Sequence, residues 1–441
     1  MTSPAALLRS IHGRLFGTRA IQARFDVLQN KVDALEQAID RIEGSIRNLA
    51  HVVGKSNAYS LLERHRPPDS GKQRVGHLPG VMRNAGIHAG PVVDRIGFLV
   101  QSLELVNHYG CVWDELPGDR FDVLLHGDTL AVGEAAFDRW RCNVVTTSEL
   151  LQSNTKYRYL VSNHPVSVEQ PPLVEQLAIT NVRFMYAAGK SGWNLSEWNN
   201  LYDLIMCFGP YHATLLSNLT QAIVLQMGYP RFDRYFTTQP NPADLQSRYG
   251  CDPSKPTVVW LPTWKTLSSV GRFDHEIGAL CDRYNVVVKL HPFMPASEPE
   301  RVDVLKSFGF TRLIADASDN LPLYQLADFM LFDYGGPPLA GIYADKNMIL
   351  LNVPGADTDD LTGSDSPDVS IRRYIANVDA EERGIATLLA DPATWRKQIS
   401  DRRMLRHLYF APYFGFSSSI AANALLNLRH IVDESRESWR W

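Results

Sequence analysis

The sequence predicts two α/β units in tandem, each a doubly wound parallel sheet, facing one another across a cleft and preceded by a coiled-coil helix. Three observations predict this. Short apolar runs alternate with helical or polar stretches from Arg95 to Met227, the pattern of a parallel sheet covered on both faces. The alternation restarts after Pro253-Ser254-Lys255-Pro256 and runs from Thr257 to Leu351. Ahead of both, apolar residues from Ile21 to Val53 repeat in steps of four and three, which is a heptad seam.

The bulk composition narrows the function. At 441 residues, 45% hydrophobic and 21% charged, the chain is long enough for more than one core. A net charge of −4 argues against nucleic acid as a partner, because counterion release needs a concentrated basic surface. The five cysteines, Cys111, Cys142, Cys207, Cys251 and Cys281, lie at least 30 residues apart, which removes zinc ribbons and disulfide scaffolds and fits a reducing cytoplasm. No apolar run approaches the roughly 20 residues of a membrane span, and no signal-peptide core is present.

Residues 1–62 are read as an assembly segment. Leu7, Leu8, Ile11, Leu15 and Phe16 share a stretch with Arg9, Arg14 and Arg19 and no acidic residue, so this start can lie on the anionic inner face of a membrane; the alternative is a frayed beginning to the coiled coil. In the seam, Phe25, Val32, Ile39, Ile46 and Val53 take position a, and Ile21, Leu28, Leu35, Ile42 and Leu49 take position d. That choice favours self-association as a parallel dimer, with a trimer as the alternative. The competing reading is an amphipathic helix packed on its own domain. Residues 63–92, with Pro67-Pro68-Asp69-Ser70-Gly71 and Pro79-Gly80, read as a linker.

In the first α/β unit, 93–245, strands are expected at 95–100, 121–125, 142–146, 157–161, 182–186, 204–208 and 222–227, with a helix over 103–116. In the second, 246–405, they are expected at 257–261, 286–290, 312–314, 329–332 and 348–351. Residues 406–441 supply a closing helix that crosses back to the first unit. In this architecture ligands bind beyond the carboxyl ends of the strands, and the informative residues sit there. Gly228-Tyr229-Pro230-Arg231-Phe232-Asp233, Pro262-Thr263-Trp264-Lys265, His291-Pro292 and Asp333-Tyr334-Gly335-Gly336-Pro337-Pro338 each follow a strand. Gly335 and Gly336 let backbone N–H groups approach an anion at the positive end of the next helix; the alternative is a purely structural turn. Lys265 and His291 nearby point to a nucleotide diphosphate. Lys190, Arg231 and Asp233 are candidates for the cleft or the acceptor side; Trp193 and Trp198 could stack on a sugar, although core or helix packing is the commoner use of such tryptophans.

The ordered set G-Y-P-R-F-D, P-T-W-K, K-L-H-P and A-D-F-M-L-F-D-Y, within approximately Val182 to Leu351, resembles the CDP-glycerol glycerophosphotransferase family of teichoic-acid primases and polymerases. The resemblance implies a GT-B fold of two Rossmann-like domains and a CDP-alditol donor held mainly by the C-terminal half. It further implies transfer of a polyol phosphate to a polysaccharide or lipid-linked acceptor at the cytoplasmic membrane face. Carried over by position, Thr263, Trp264 and Lys265 correspond to a pyrophosphate-side loop, His291 to the donor-binding histidine, and Asp333 with Tyr334 to the start of the donor phosphate motif.

Two departures stand out. Gly335-Gly336 replaces a pair of serines, leaving only backbone donors there, and the family's proposed histidine base aligns with Ala188, in Met185-Tyr186-Ala187-Ala188-Gly189-Lys190. His126 and His164, at strand ends of the same unit, are the candidate catalytic bases, since neutral imidazole suits proton abstraction from a hydroxyl; a loop histidine bonded to backbone is the other reading of each. Asp357-Thr358-Asp359 reads as a solvated acidic loop rather than a metal motif, so no metal is expected. With neither G-x-G-x-x-G nor G-x-x-x-x-G-K-[ST] in place, no cofactor is implied. Two alternatives remain open. One is a GT-B glycosyltransferase using a CMP- or UDP-sugar, because a histidine-proline pair after a strand also occurs in bacterial sialic-acid and Kdo transferases. The other is a coiled-coil scaffold that has lost its base.

Overall fold

Apolar runs too short for a helix and rich in Val, Ile, Leu and Phe become strands, most of them buried. β1 (Val92–Val100), β2 (Phe121–Leu125), β3 (Asn143–Thr146), β4 (Lys156–Ser162), β5 (Ala178–Phe184), β6 (Leu204–Cys207) and β7 (Ile223–Gln226) form one sheet. β8 (Thr257–Leu261), β9 (Asn285–Lys289), β10 (Arg312–Ile314), β11 (Phe329–Phe332), β12 (Met348–Asn352) and β13 (Asn377–Asp379) form the second. The computed structural model describes residues 88–434, apart from 133, 168–170, 360, 361 and 364. All of them belong to one compact unit, Arg74–Trp441. The basic start and the heptad seam lie outside the described residues.

Every strand pairing is parallel. The strand orders are β3-β2-β1-β4-β5-β6-β7 and β10-β9-β8-β11-β12-β13, so the winding reverses between β1 and β4 and again between β8 and β11. Crevices at such reversals are where open α/β sheets hold ligands. The loops leaving β1, β4, β8 and β11 therefore start where a ligand can be reached.

Two strands depart most from the sequence reading. β5 begins at Ala178 rather than 182, because its first half carries Thr180 and Asn181, polar residues that are nonetheless buried. β13 is three residues of mixed polarity at a sheet edge, too short to stand out as a strand.

One apolar core passes through both sheets. It runs from Phe98, Trp113 and Phe121 in the first sheet, through Tyr229, Phe232, Tyr324, Tyr343 and Phe410 between the halves, to Val259 and Phe332 in the second. Aromatic rings dominate the junction, with Tyr229 stacked on Phe410 at 5.7 Å and Phe232 edge-on to Tyr324 at 5.1 Å. The chain then returns. After the helix Pro392–Tyr409, Ala411 N–H donates to Phe208 O at 2.9 Å, and the helix Ser417–Leu426 begins on Asp233, whose carboxylate accepts the Ser417 and Ser418 amides.

Candidate functional site

The cleft between the halves encloses about 330 Å³. Its walls come largely from residues that follow strands of both sheets. β9 is an apolar run that ends on Lys289, so the pleat carries one ammonium to the sheet's carboxyl edge. Burial lowers its proton affinity, while the ammonium donates to Asp316 O at 2.6 Å. His291 follows two residues later. Its Nδ1 accepts the Phe293 amide at 3.3 Å, which leaves the ring proton of a neutral imidazole on Nε2. Burial, then the charges of Lys190 and Lys289, push its pKa down to about 4, so at neutral pH His291 is an uncharged hydrogen-bond donor.

Trp264, on the loop after β8, stacks on His291 at 5.2 Å and 11°, and Phe293 closes the group at 5.2 Å from Trp264. This loop is held firmly. Lys265 sits at φ +60°, a strained value for a side-chain-bearing residue. Its N–H donates to Glu298 and its carbonyl accepts from Arg301, themselves paired at 2.8 Å. The Lys265 ammonium lies 4.1 Å from the centre of the Trp264 ring. Lys265 is exposed and does not line the cleft; Thr263 and Trp264 do.

Asp333 is wholly buried and does not line the cleft. Its carboxylate accepts the amides of Thr263, Ser269 and Tyr334 and the Ser269 hydroxyl, all at 2.8–2.9 Å. Desolvation outweighs these donors and raises its pKa to about 6. The residue thus fastens the Trp264 loop to β11. Beyond it, Tyr334, Gly335 and Gly336 do line the cleft. The Gly335 N–H, however, already donates to buried Asp368 at 2.7 Å, and Pro337 and Pro338 have no N–H. At the start of the helix Gly336–Tyr343, Gly336 is left as the amide next to the cleft.

From the first half come Glu104, Asn107 and His108 on the helix Glu104–Trp113, then Tyr186, Ala187, Lys190 and Trp193 after β5, and Arg231 after β7. Arg231 is nearly buried and ties the halves together, donating to His108 Nε2 at 2.9 Å and to Asp319 at 2.8 Å. Burial, then Arg231, hold His108 neutral.

The two histidines expected as bases lie elsewhere. His126 bonds Thr147 Oγ1 through Nδ1 at 2.9 Å, and its amide is turned to Thr129 Oγ1; it is absent from the cleft wall. His164 is spent in its own loop, Nδ1 accepting the Val166 amide at 3.0 Å and Nε2 facing the Gln101 carboxamide at 2.9 Å. It packs behind Trp193, and burial with the nearby Arg183 lowers its pKa to about 4. Asp233 also stays out of the cleft, capping the helix Ser417–Leu426. Ala188 is fully buried, and the His212 ring bonds its backbone. At the next residue, a Cβ on Gly189 would fall 2.3 Å from Gly335 O, so the two halves touch backbone to backbone there.

The acidic loop after β12 is not solvated throughout. Thr362, Ser366 and Asp368 are buried. Ser366 Oγ donates to Gly189 O at 2.8 Å and accepts the Ser191 amide at 3.1 Å, a strap from the second half to the first. Among the described residues no group of three His, Cys, Asp or Glu side chains is arranged to hold a metal ion.

Lys289, Glu104 and His108 are among the cleft residues that were not singled out from the sequence. Lys289 had a usable signal, a lysine ending a Val-Val-Val strand. Glu104 and His108, one helical turn apart, had none beyond following β1.

Comparison with known proteins agrees with the motif reading. Residues 213–336 match the family model for CDP-Glycerol:Poly(glycerophosphate) glycerophosphotransferase. Over 136 residues, 28% of this chain and 33% of the relative, the sequence is 28% identical to teichoic acid glycerol-phosphate primase of Bacillus spizizenii strain W23. The match thus spans a third of that relative's length. The wall teichoic acid polymerase TagF is structurally similar, with TM-score 0.55 and 13% identity over 78% of this chain and 90% of that one. Alr3699/HepE of Anabaena, solved in complex with UDP and glucose, gives TM-score 0.50 and 12% identity over 77% and 100%. Both likenesses establish the fold, two parallel α/β sheets of GT-B type.

Proposed function

We propose that the protein is a transferase that moves glycerol phosphate, or a similar polyol phosphate, from a CDP-activated donor to a hydroxyl of a teichoic-acid-like acceptor. The observation that carries this reading is the convergence of Lys190, Lys289, the Nε2–H of His291 and the Gly336 amide on one cleft, within the span that includes the family match at 213–336. Such a set suits a diphosphate, whose charge rises on the leaving nucleotide as the phosphorus–oxygen bond breaks. The donor lies against the second half. Lys289 and His291 hold the departing CMP phosphate, and the Trp264–Phe293 group walls the cleft mouth beside it. The acceptor enters along Tyr186, Lys190 and Trp193.

A glycosyltransferase using a CMP- or UDP-sugar is the second reading, favoured by the glycines at 335 and 336 where the family carries hydroxyls. In either case the seam at 21–53 pairs copies of the chain and the basic start rests on the inner face of a membrane, which places the enzyme in the cytoplasm beside its acceptor. Calorimetric titration with CDP-glycerol, CDP-ribitol, CMP-Kdo, UDP-glucose and CMP tests the donor. Binding of CDP-alditols above the others is the expected result. Preference for a CMP- or UDP-sugar overturns the leading reading for the second, and binding of none favours the scaffold.

A further inference from the structure

Resting on the glycerophosphotransfer reading, we propose that Glu104 is the general base that activates the acceptor hydroxyl. The usual place for a base is closed: Ala188 is buried without a functional group, and its neighbour Gly189 is pressed on Gly335. His126 and His164 are off the cleft wall, and the two histidines on the wall are committed. His108 Nε2 accepts from Arg231, and His291 Nδ1 accepts the Phe293 amide.

Among the described residues that line the cleft, Glu104 is the one carboxylate. Its side chain is 36% exposed, and Arg231 Nη1, at 3.8 Å, is its ion-pair partner without being close enough to hydrogen-bond. Arg231 is meanwhile turned to Asp319 and His108. The oxygens of Glu104 are therefore open to the cleft. It stands in the first turn of the helix after β1, on the acceptor half and at the sheet's reversal point, across from Lys289 and His291. The titratable and charged groups around it are Arg231 and Tyr229 after β7, Tyr186 after β5, Lys289 on β9, and His108 on its own helix.

In the step, an acceptor hydroxyl oxygen bonds to the phosphorus that carries glycerol as the bond from that phosphorus to the CMP oxygen breaks. The hydroxyl proton passes to a Glu104 carboxylate oxygen and then to solvent, and CMP leaves with the bonding electron pair. No other reactant is needed.

The test uses the full chain, CDP-glycerol and a short poly(glycerol phosphate) oligomer as acceptor, with CMP release and donor affinity measured for wild type, Glu104→Gln and Glu104→His. Glu104→Gln is expected to bind CDP-glycerol within twofold of wild type while kcat falls about 100-fold or more, with the acid limb of the pH profile lost. Glu104→His is expected to recover part of kcat with that limb moved to higher pH, because an imidazole titrates near pH 6.5. Undiminished transfer by Glu104→Gln in the presence of normal donor binding overturns the assignment alone. A wild-type protein that neither binds CDP-glycerol nor releases CMP overturns the assignment together with the reading beneath it.

Discussion

Gly189→Ala is the sharpest probe of how the halves meet. The new Cβ would lie 2.3 Å from Gly335 O and 2.7 Å from Gly335 C, about 1 Å inside the 3.4 Å at which ordinary contact begins. Neither side can give locally. Gly335 is fixed by the hydrogen bond its N–H donates to the Asp368 carboxylate and by φ +99°, and the Gly189 carbonyl is held by Ser366. Relief therefore requires the halves to part by about an ångström at the cleft floor. Overpacking of this kind costs about 1–3 kcal/mol. At about 2.1 cal/mol/K per residue of unfolding entropy, 2 kcal/mol over the described residues corresponds to a Tm fall of about 3 °C. The catalytic cost is larger, because a 1 Å misplacement of groups on opposite walls can cost about 100-fold in rate. CMP release from CDP-glycerol in the presence of a poly(glycerol phosphate) oligomer, with a thermal melt alongside, measures both. A variant with kcat within twofold of wild type and an unchanged Tm would refute the claim that this contact sets the spacing of the cleft.

Three further outcomes are expected. His291→Ala removes the neutral Nε2 donor and should lower kcat about 100-fold, read by CMP release; near-normal turnover would remove His291 from the leaving-group side. Asp333→Asn turns an amide NH2 toward the Ser269 N–H and leaves that buried donor unsatisfied, at a cost of about 1–3 kcal/mol. Urea melts at pH 7.5 should show a lower midpoint with weaker CDP-glycerol binding, and an unchanged midpoint would contradict the fastening role. Burial holds His164 near pKa 4 and His212 near 3, both below the 6.5 of the unfolded chain. The unfolded state then gains protons first as pH falls, so stability is lost from about pH 6.5 towards 4; replacing His164 by Gln should flatten part of that slope in urea midpoints measured across the range.

The sheets were legible in the sequence because buried parallel strands are nearly continuous apolar runs, and Phe121–Leu125 and Thr257–Leu261 fall where they were expected. β5 was read short because Thr180, Asn181 and Arg183 interrupt its apolar run. Their burial is balanced by tertiary partners, such as Asn194 and Asn199 for Arg183, that no local pattern reveals. At the site, motif position located the loops, but not which side chains face inward. Asp333 and Asp233 follow strands just as His291 does, yet both turn their carboxylates back onto backbone amides. Glu104 and His108 reach the cleft only because the winding reverses at β1, a property of strand order. The buried strap at Ser366 looked like solvated loop because its composition is polar; what buries it is the opposing half.

The cap on the helix Ser417–Leu426 sets an order of events during synthesis. Asp233 finds its amide partners 184 and 185 residues further along the chain, and Phe208 O meets Ala411 N–H from a similar separation. At ribosomal speeds of about 5–20 residues per second, the first half waits about 10–40 s for these partners after Asp233 has been made. During that interval a carboxylate destined for burial and the aromatic faces of Phe208 and Tyr229 stay uncovered. Folding of the first half is completed only once residues 411–426 have been made, and a fragment ending before them would carry the sheet but not the surface that closes it.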